Sequence, residues 1–121
     1  MELEKYVYQK IKNFLYGVVR EKDNFGVKDT GEVVHAPYDK EVKAGDNPVV
    51  KYYACIELPD GTFYSLVTNK EEMETYARRH NSDYAKGKGL WAEMFDKMAV
   101  ATVKRKLIQD AVLYGWLEAH G

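Results

Sequence analysis

Hydrophobic residues recur at helical spacing in the first part of the chain. Between residues 3 and 16, apolar side chains return every three or four positions, with Lys and Gln between them. This is the pattern of an amphipathic helix. Gly17 follows, and glycine is typical of the position just after a helix. We therefore predict an N-terminal helix within residues 1–16.

A β-rich region is predicted over residues 17–68. Its clearest part is a hairpin, in which the β-prone segments 49–58 and 62–68 flank the turn sequence Pro59-Asp60-Gly61. Hairpins join neighbouring antiparallel strands. This region therefore predicts strands that pair as an antiparallel sheet.

Two helices complete the predicted order of elements. A helix is predicted over residues 69–80, because a Glu lies three positions after both Thr68 and Asn69, and either pair fits a capping box. A longer helix is predicted over residues 90–117, a stretch without proline. The resulting fold class is α+β, with a small antiparallel sheet packed against the long C-terminal helix. We expect a single domain of residues 1–121.

Charge is unevenly distributed along the chain. The formal net charge is −1, but residues 78–106 carry 8 Lys and Arg against 3 Asp and Glu. This segment can attract phosphate locally, since the Debye length is only about 8 Å at physiological salt. A solvated helix face with its loop explains the same pattern, and composition alone favours that alternative. The candidate nucleic-acid contacts are Arg78, Arg79, Lys86, Lys88, Lys97, Lys104, Arg105 and Lys106.

The predicted long helix carries an apolar stripe that includes Trp91, Phe95 and Met98. Core packing explains this stripe more simply than base stacking does. Lys106 points into the same sector and Arg105 points close to it. Because buried unpaired charge is too costly, either the helix leaves the core before these residues or the charges meet a partner.

Several classes of function find no support in the sequence. His35, His80 and His120 lack metal-ligand spacing, and the single cysteine, Cys55, forms no C-x2-C pair, so no metal and no cofactor are predicted. No nucleophile motif of a hydrolase occurs, and we predict that the chain is not an enzyme. No apolar run approaches the roughly 20 residues that span a bilayer, and no signal peptide is seen. With one cysteine, these features favour a cytoplasmic location.

The segment from Trp91 to Val103 reads W-x3-F-D-x-M-A-x2-T-V. This spacing resembles the signature helix of the RecT family of phage single-strand annealing proteins. Other segments resemble further motifs of that family in the same order, so that the resemblance covers roughly residues 17–110. These segments are V-x-E-x-D-x-F at 19–25, a His and a Pro within 34–37, a strand pair around a D-G turn at 52–67, and K-E-E at 70–72.

The resemblance implies a β-β-β-α core that binds single-stranded DNA and anneals complementary strands without ATP in phage-type recombination. It also implies a homo-oligomer that holds DNA along a basic groove, with an exonuclease and a single-strand binding protein as further partners. Arg105 and Lys106, with Lys104 in support, correspond to the basic residues that would contact the phosphate backbone.

Two departures from the family pattern leave an alternative open. Family members are considerably longer than this chain. In addition, where the family often has two lysines between M-A and T-V, this chain has Val100 and Ala101. The alternative is a truncated RecT-like interaction module that binds or modulates a longer recombinase without annealing DNA itself.

Overall fold

A three-stranded sheet lies between helices on one face and a two-stranded sheet on the other in the computed structural model, which describes residues 2–120. Met1 and Gly121, which the predicted domain includes, lie outside the described residues, as does the side chain of His120. In chain order the helices and strands are α1 (Glu2–Lys10), β1 (Asn13–Arg20), β2 (Asn24–Val27), β3 (Val33–Ala36), β4 (Val49–Glu57), β5 (Phe63–Asn69), α2 (Lys70–His80), α3 (Leu90–Glu93), α4 (Phe95–Leu113) and α5 (Trp116–His120).

The predicted α+β fold class is confirmed. The central sheet has the strand order β1-β4-β5 and is antiparallel throughout, and α4 packs against it, mainly on β4. Strands β4 and β5 form the predicted hairpin. Its turn is closed by two hydrogen bonds, from the Leu58 N–H to the Thr62 carbonyl and from the Gly61 N–H to the Leu58 carbonyl.

The main core fills the space between the central sheet and the helices. Tyr52, Ala54 and Ile56 alternate along β4 and are all buried on this face. Each large apolar side chain that is fully buried contributes about 1.5–3 kcal/mol, so this face holds the helices in place. The helices contribute the buried residues Val7, Met73, Ala77, Trp91, Ala99, Val103, Leu107, Ile108, Ala111 and Leu117.

A second, smaller core lies on the opposite face of the central sheet. Tyr53 and Cys55 of β4 and Val19 of β1 are buried there against Val33 of β3 and Phe25 of β2. Strand β4 is therefore covered on both faces. This double burial accounts for its continuous run of apolar residues, since a strand with one wet face would alternate.

Three side chains join the two-stranded sheet to the central sheet by hydrogen bonds. The Nε2 atom of His35 lies 2.9 Å from Asp23 Oδ2, and its Nδ1 atom lies 3.1 Å from the Tyr53 hydroxyl. The carboxylate of Asp23 also accepts the backbone N–H groups of Arg20 and Tyr38, both at 2.9 Å. Burial alone would raise the pKa of Asp23, but these hydrogen bonds lower it to about 2.

The predicted N-terminal helix of residues 1–16 is wrong in its second half. Helix α1 ends at Lys10, and β1 begins at Asn13. Phe14 and Leu15 fit a helical or an alternating pattern equally well, so local sequence does not decide between them. Pairing of β1 with β4 decides for the strand, because it satisfies the backbone groups of this segment along the whole of β4.

Gly17 lies inside β1 and does not end a helix. It pairs with Tyr53 of β4, and a β-carbon at this position would lie 3.5 Å from the Tyr53 hydroxyl. The prediction of a helix end at Gly17 is therefore also wrong.

The predicted long helix of residues 90–117 is divided into α3, α4 and α5. Gly115 causes the second interruption, because its φ of 66° lies in the left-handed region that glycine adopts at little cost. Met94 causes the first, with φ −135° and ψ 51°. Neither Pro nor Gly marks this break, so the sequence gives no signal for it.

The break at Met94 separates two aromatic residues that have different partners. Trp91 is buried and its ring lies 5.9 Å from Tyr76 of α2, whereas the Phe95 ring lies 6.2 Å from Tyr52 of β4. Packing against two different elements compensates for the lost helical geometry. Both rings belong to the core or pack against it, as the apolar stripe predicts.

Helix α2 begins with a capping box, which confirms one of the two predicted pairs. The side chain of Asn69 accepts the Glu72 N–H at 2.8 Å, and the Glu72 carboxylate accepts the Asn69 N–H at 3.2 Å. Two backbone donors at the helix start are satisfied in this way. The helix therefore starts at Lys70, immediately after its cap.

Candidate nucleic-acid interface

A groove of about 680 Å³ lies between β1 and α4. It exists because β1 is an edge strand and α4 packs mainly on β4, so the helix leaves one side of β1 uncovered. Its lining residues are Glu4 of α1, Tyr16, Gly17 and Val18 of β1, and Asp96, Lys97, Val100, Ala101, Lys104, Arg105 and Ile108 of α4.

Three of the eight predicted contacts share this groove, namely Lys97, Lys104 and Arg105. They lie seven and eight positions apart, which is about two turns of a helix, so they fall on one side of α4. Lys97 and Arg105 are exposed, and 20% of the Lys104 side chain is exposed. Arginine can bind phosphate with two parallel hydrogen bonds, and lysine binds it as a point charge.

Lys104 lies on the groove wall beside Tyr16 and Glu4, and its Nζ atom also lies 5.9 Å from the centroid of the Phe14 ring. Its Nζ atom lies 3.9 Å from the centroid of the Tyr16 ring and 4.0 Å from Glu4 Oε1. An exposed cation–π contact contributes about 0.5–1 kcal/mol, and a surface ion pair contributes about 0–1 kcal/mol. Both contacts are weak enough for a phosphate to compete with them.

Tyr16 lines the groove on its β1 side and belongs to a chain of ring contacts with Phe14 and Tyr8, which do not line the groove. The Phe14 ring lies 5.6 Å from Tyr8 and 5.5 Å from Tyr16, and both tyrosines are more than 40% exposed. These rings are not among the contacts predicted from the sequence, because residues 3–16 are predicted as one helix. The available signal is the alternation of Phe14, Tyr16 and Val18, which places all three on one face of a strand.

Two carboxylates reduce the positive charge of the groove. With Glu4 and Asp96 against three cations, the formal charge of its lining is +1. Asp96 also has a structural role, because it accepts a 2.6 Å hydrogen bond from the Tyr52 hydroxyl and so ties the start of α4 to β4. Burial, and then the hydrogen bond to Asp96, raise the pKa of Tyr52, so its hydroxyl remains a donor.

Lys106 is exposed on α4 but does not line the groove. For the charges at Arg105 and Lys106, the sequence predicts either a helix that leaves the core or a partner that meets the charges. The structure shows a third arrangement. Helix α4 stays on the core as far as Ala111, and both cations face solvent. The apolar stripe that begins at Trp91 does not continue along the same face, because the break at Met94 changes which residues of α4 face the core.

The other four predicted contacts form a separate basic region. Helix α2, which ends with Arg78 and Arg79, packs against β4 and β5, and Lys86 and Lys88 lie in the loop before α3. All four side chains are exposed, and none lines the groove. The structure thus divides the predicted contacts into a groove set of three, a set of four on α2 and the loop after it, and Lys106, which belongs to neither.

The described part of the chain gives little support for a metal site, a membrane span or a reactive thiol. Within residues 2–120, no three His, Cys, Asp or Glu side chains are placed to hold a metal ion. None of the described helices is long and apolar enough to cross a membrane. Cys55 is buried, and burial raises the pKa of its thiol, which disfavours the reactive thiolate.

Comparison with protein families gives a match over most of the chain. The model of the RecT family matches residues 6–113, which takes in β1 and α4 and therefore both long walls of the groove. No curated protein matches the chain.

Proposed function

The chain belongs to the RecT family, and we propose that it binds single-stranded DNA in the groove between β1 and α4 and anneals complementary strands without ATP. Proteins of this family bind single-stranded DNA, oligomerise and act in phage-type recombination by single-strand annealing. They are generally not enzymes. Binding in this groove and annealing by this chain are the parts that we propose.

The observation that supports the groove is the row of Lys97, Lys104 and Arg105 along one wall. Residues eight positions apart on a helix are separated by about 12 Å along its axis. This length corresponds to about three or four stacked nucleotides at 3.4 Å each. Such a row of cations can follow successive phosphates, and the release of their counterions provides the affinity.

Annealing requires that the bound strand keeps its bases available. Cations that hold the phosphates leave the base edges free for a second strand, and pairing then needs no bond to be made or broken. Contacts of this electrostatic kind are weak one by one and carry no sequence information, so strands can shift until they pair correctly.

One groove holds too few nucleotides to align two long strands. We therefore extend the proposal to a homo-oligomer in which the grooves of neighbouring copies hold one continuous strand. An exonuclease that generates single strands and a single-strand binding protein that covers them are the further partners that we propose. Both act on the DNA that such an assembly would receive.

The first test compares Arg105→Gln with Lys106→Gln in an annealing assay. Two complementary labelled oligonucleotides are mixed with protein in the absence of ATP, and the rate of duplex formation is measured. We expect Arg105→Gln to slow annealing about fivefold or more, since loss of a phosphate contact of about 1 kcal/mol has this effect. We expect less than a twofold change for Lys106→Gln.

These two variants control for each other. Both remove one positive charge from exposed, adjacent positions on α4, but only Arg105 lines the groove. Equal effects of the two changes would contradict the groove as the binding site. Absence of annealing by the unmodified protein would contradict the proposed activity. Arg78, Arg79, Lys86 and Lys88 stay predicted contacts that the same assay can rank. Lys106 is also a contact predicted from the sequence, but the groove proposal assigns it no phosphate.

A further inference from the structure

We infer that Tyr16 is a stacking site for a nucleobase of the bound strand, and that Lys104 and Glu4 cover this site until DNA arrives. This base site rests on the proposed function, because it is the base-binding part of the same groove. It assigns a role to three side chains that lie close together in the groove. Tyr16 and Glu4 are not among the residues predicted from the sequence.

The position of Tyr16 suits a base better than it suits the core. Its ring is 45% exposed, although it lies on the face of β1 that carries the partly buried Phe14 and Val18. Phe14 meets it edge to face, with centroids 5.5 Å apart and an interplanar angle of 86°. An exposed ring supported from its edge offers a flat apolar surface, and stacking on such a surface accepts any base.

The face of this ring is occupied by Lys104 in the absence of DNA. The Nζ atom lies 3.9 Å from the Tyr16 centroid, so it lies in the place that a stacked base would take. Stacking of a base on an aromatic ring is generally stronger than an exposed cation–π contact. A base can therefore displace the ammonium group, provided that Lys104 finds another partner for its charge.

Glu4 holds Lys104 in this covering position. Its Oε1 atom lies 4.0 Å from Lys104 Nζ and also accepts a 3.2 Å hydrogen bond from the Tyr8 hydroxyl. A DNA phosphate carries the same negative charge as Glu4 and can replace it as the partner of Lys104. Phosphate binding would thus draw Lys104 away from the ring at the moment when a base becomes available to stack.

The phosphate replaces Glu4 as the partner of Lys104, and the base replaces Lys104 on the Tyr16 ring. Binding of the phosphate and stacking of the base therefore favour each other. In a duplex the bases are already stacked on one another and are not free to reach Tyr16. The site therefore favours single strands, whereas the three groove cations alone would attract the phosphates of either form. Tyr16 would therefore determine the preference for single-stranded over duplex DNA.

Two oligomers of equal length test the base site. One is oligothymidine, and the other is the same deoxyribose-phosphate chain without bases. Their affinities are measured by competition against a labelled strand for the unmodified protein, Tyr16→Leu and Tyr16→Phe. We expect the unmodified protein and Tyr16→Phe to prefer the base-bearing chain by roughly fivefold to a hundredfold, since stacking supplies this range.

Tyr16→Leu should bind both chains alike, because it keeps an apolar side chain but loses the ring. Its dependence on salt should stay unchanged, since the phosphate contacts remain. The base site is wrong if Tyr16→Leu keeps the preference, or if the unmodified protein binds both chains equally with ordinary salt dependence. If the unmodified protein binds neither chain, the groove proposal itself fails.

The covering of the Tyr16 ring by Lys104 and Glu4 is tested by Glu4→Gln. This change removes one negative charge and keeps an acceptor for Tyr8. Release of this partly buried ion pair should tighten single-strand binding about twofold to fivefold. Its log–log salt dependence should stay close to that of the unmodified protein, since Lys104 meets a phosphate in both complexes. Glu93→Gln removes the same charge outside the groove and should change affinity less than twofold. Equal effects of the two variants, or weaker binding by Glu4→Gln, would refute the cover.

Discussion

Val100 and Ala101 lie within the groove wall. They occupy the two positions where proteins of the RecT family often have lysines. Ala101 is exposed and Val100 is half-buried. This departure from the family pattern therefore falls within the candidate binding surface. It accounts in part for the small positive charge of the lining, which is only +1.

Ala101→Lys restores one of these lysines and should strengthen single-strand binding. We expect the log–log salt dependence to steepen by about 0.7, the increment for one further phosphate contact on a single strand. Like charges at i±4, from Lys97 and Arg105, should lower the free energy of unfolding by about 0.2–0.5 kcal/mol per pair. Fluorescence anisotropy and chemical denaturation measure the two effects.

The matched control for this change is Ala92→Lys, which adds the same charge at an exposed position of α3 outside the groove. It should leave the salt dependence nearly unchanged. An Ala101→Lys variant that behaves like this control would show that the wall of α4 does not meet DNA.

The sequence identifies the groove cations as candidate contacts but does not distinguish them from the other basic residues. Lys97, Lys104 and Arg105 stand out by charge, yet so do Arg78 and Lys106. Which cations share one surface depends on where β1 lies beside α4. That information is tertiary, and it becomes available only when the pairing of β1 with β4 is known.

At the scale of elements, predictions succeed where local interactions decide the structure. The cap at Asn69 is a contact between residues three positions apart, and the β4–β5 hairpin has a turn of its own. Residues 13–16 are assigned wrongly because only a partner strand distant in sequence makes them a strand. The break at Met94 is missed for a similar reason, since neighbouring residues do not signal it and the aromatic residues on either side, Trp91 and Phe95, make contacts distant in sequence.

The link between the two sheets gives a prediction about stability and pH. Asp23→Asn removes the charged acceptor of three hydrogen bonds and should lower the free energy of unfolding by about 1–3 kcal/mol at neutral pH. The pKa of Asp23 is lowered in the folded protein to about 2, against about 3.9 in the unfolded chain. Its stabilisation is therefore complete above about pH 4 and is lost as the pH falls through about 2.

Urea denaturation followed by circular dichroism at several pH values checks this prediction. The difference in stability between the unmodified protein and Asp23→Asn should narrow as the pH falls from 4 to 2. Asp39→Asn, at an exposed position, serves as the control for loss of one carboxylate. A difference that stays constant over this range would contradict the role assigned to the Asp23 charge.

For the whole molecule, the distribution of charge matters more than its sum. The chain has a net charge of −1, and seven of its eight predicted contacts fall into a groove set and a set around α2. Attraction between this protein and DNA should therefore be local and sensitive to salt, because charges beyond a Debye length of about 8 Å are screened. Membership of the RecT family implies single-strand annealing, and the groove is the location that we propose for the strand.

The most direct test of this account is the salt dependence of single-strand binding by the unmodified protein. A labelled oligonucleotide is titrated by fluorescence anisotropy at several salt concentrations. Three groove cations, each adding about 0.7 for a single strand, predict a log–log slope near −2. A slope near −6, as expected if all eight basic residues met phosphates at about 0.7 each, would contradict the groove as the binding surface. Absence of binding at low salt would contradict the account as a whole.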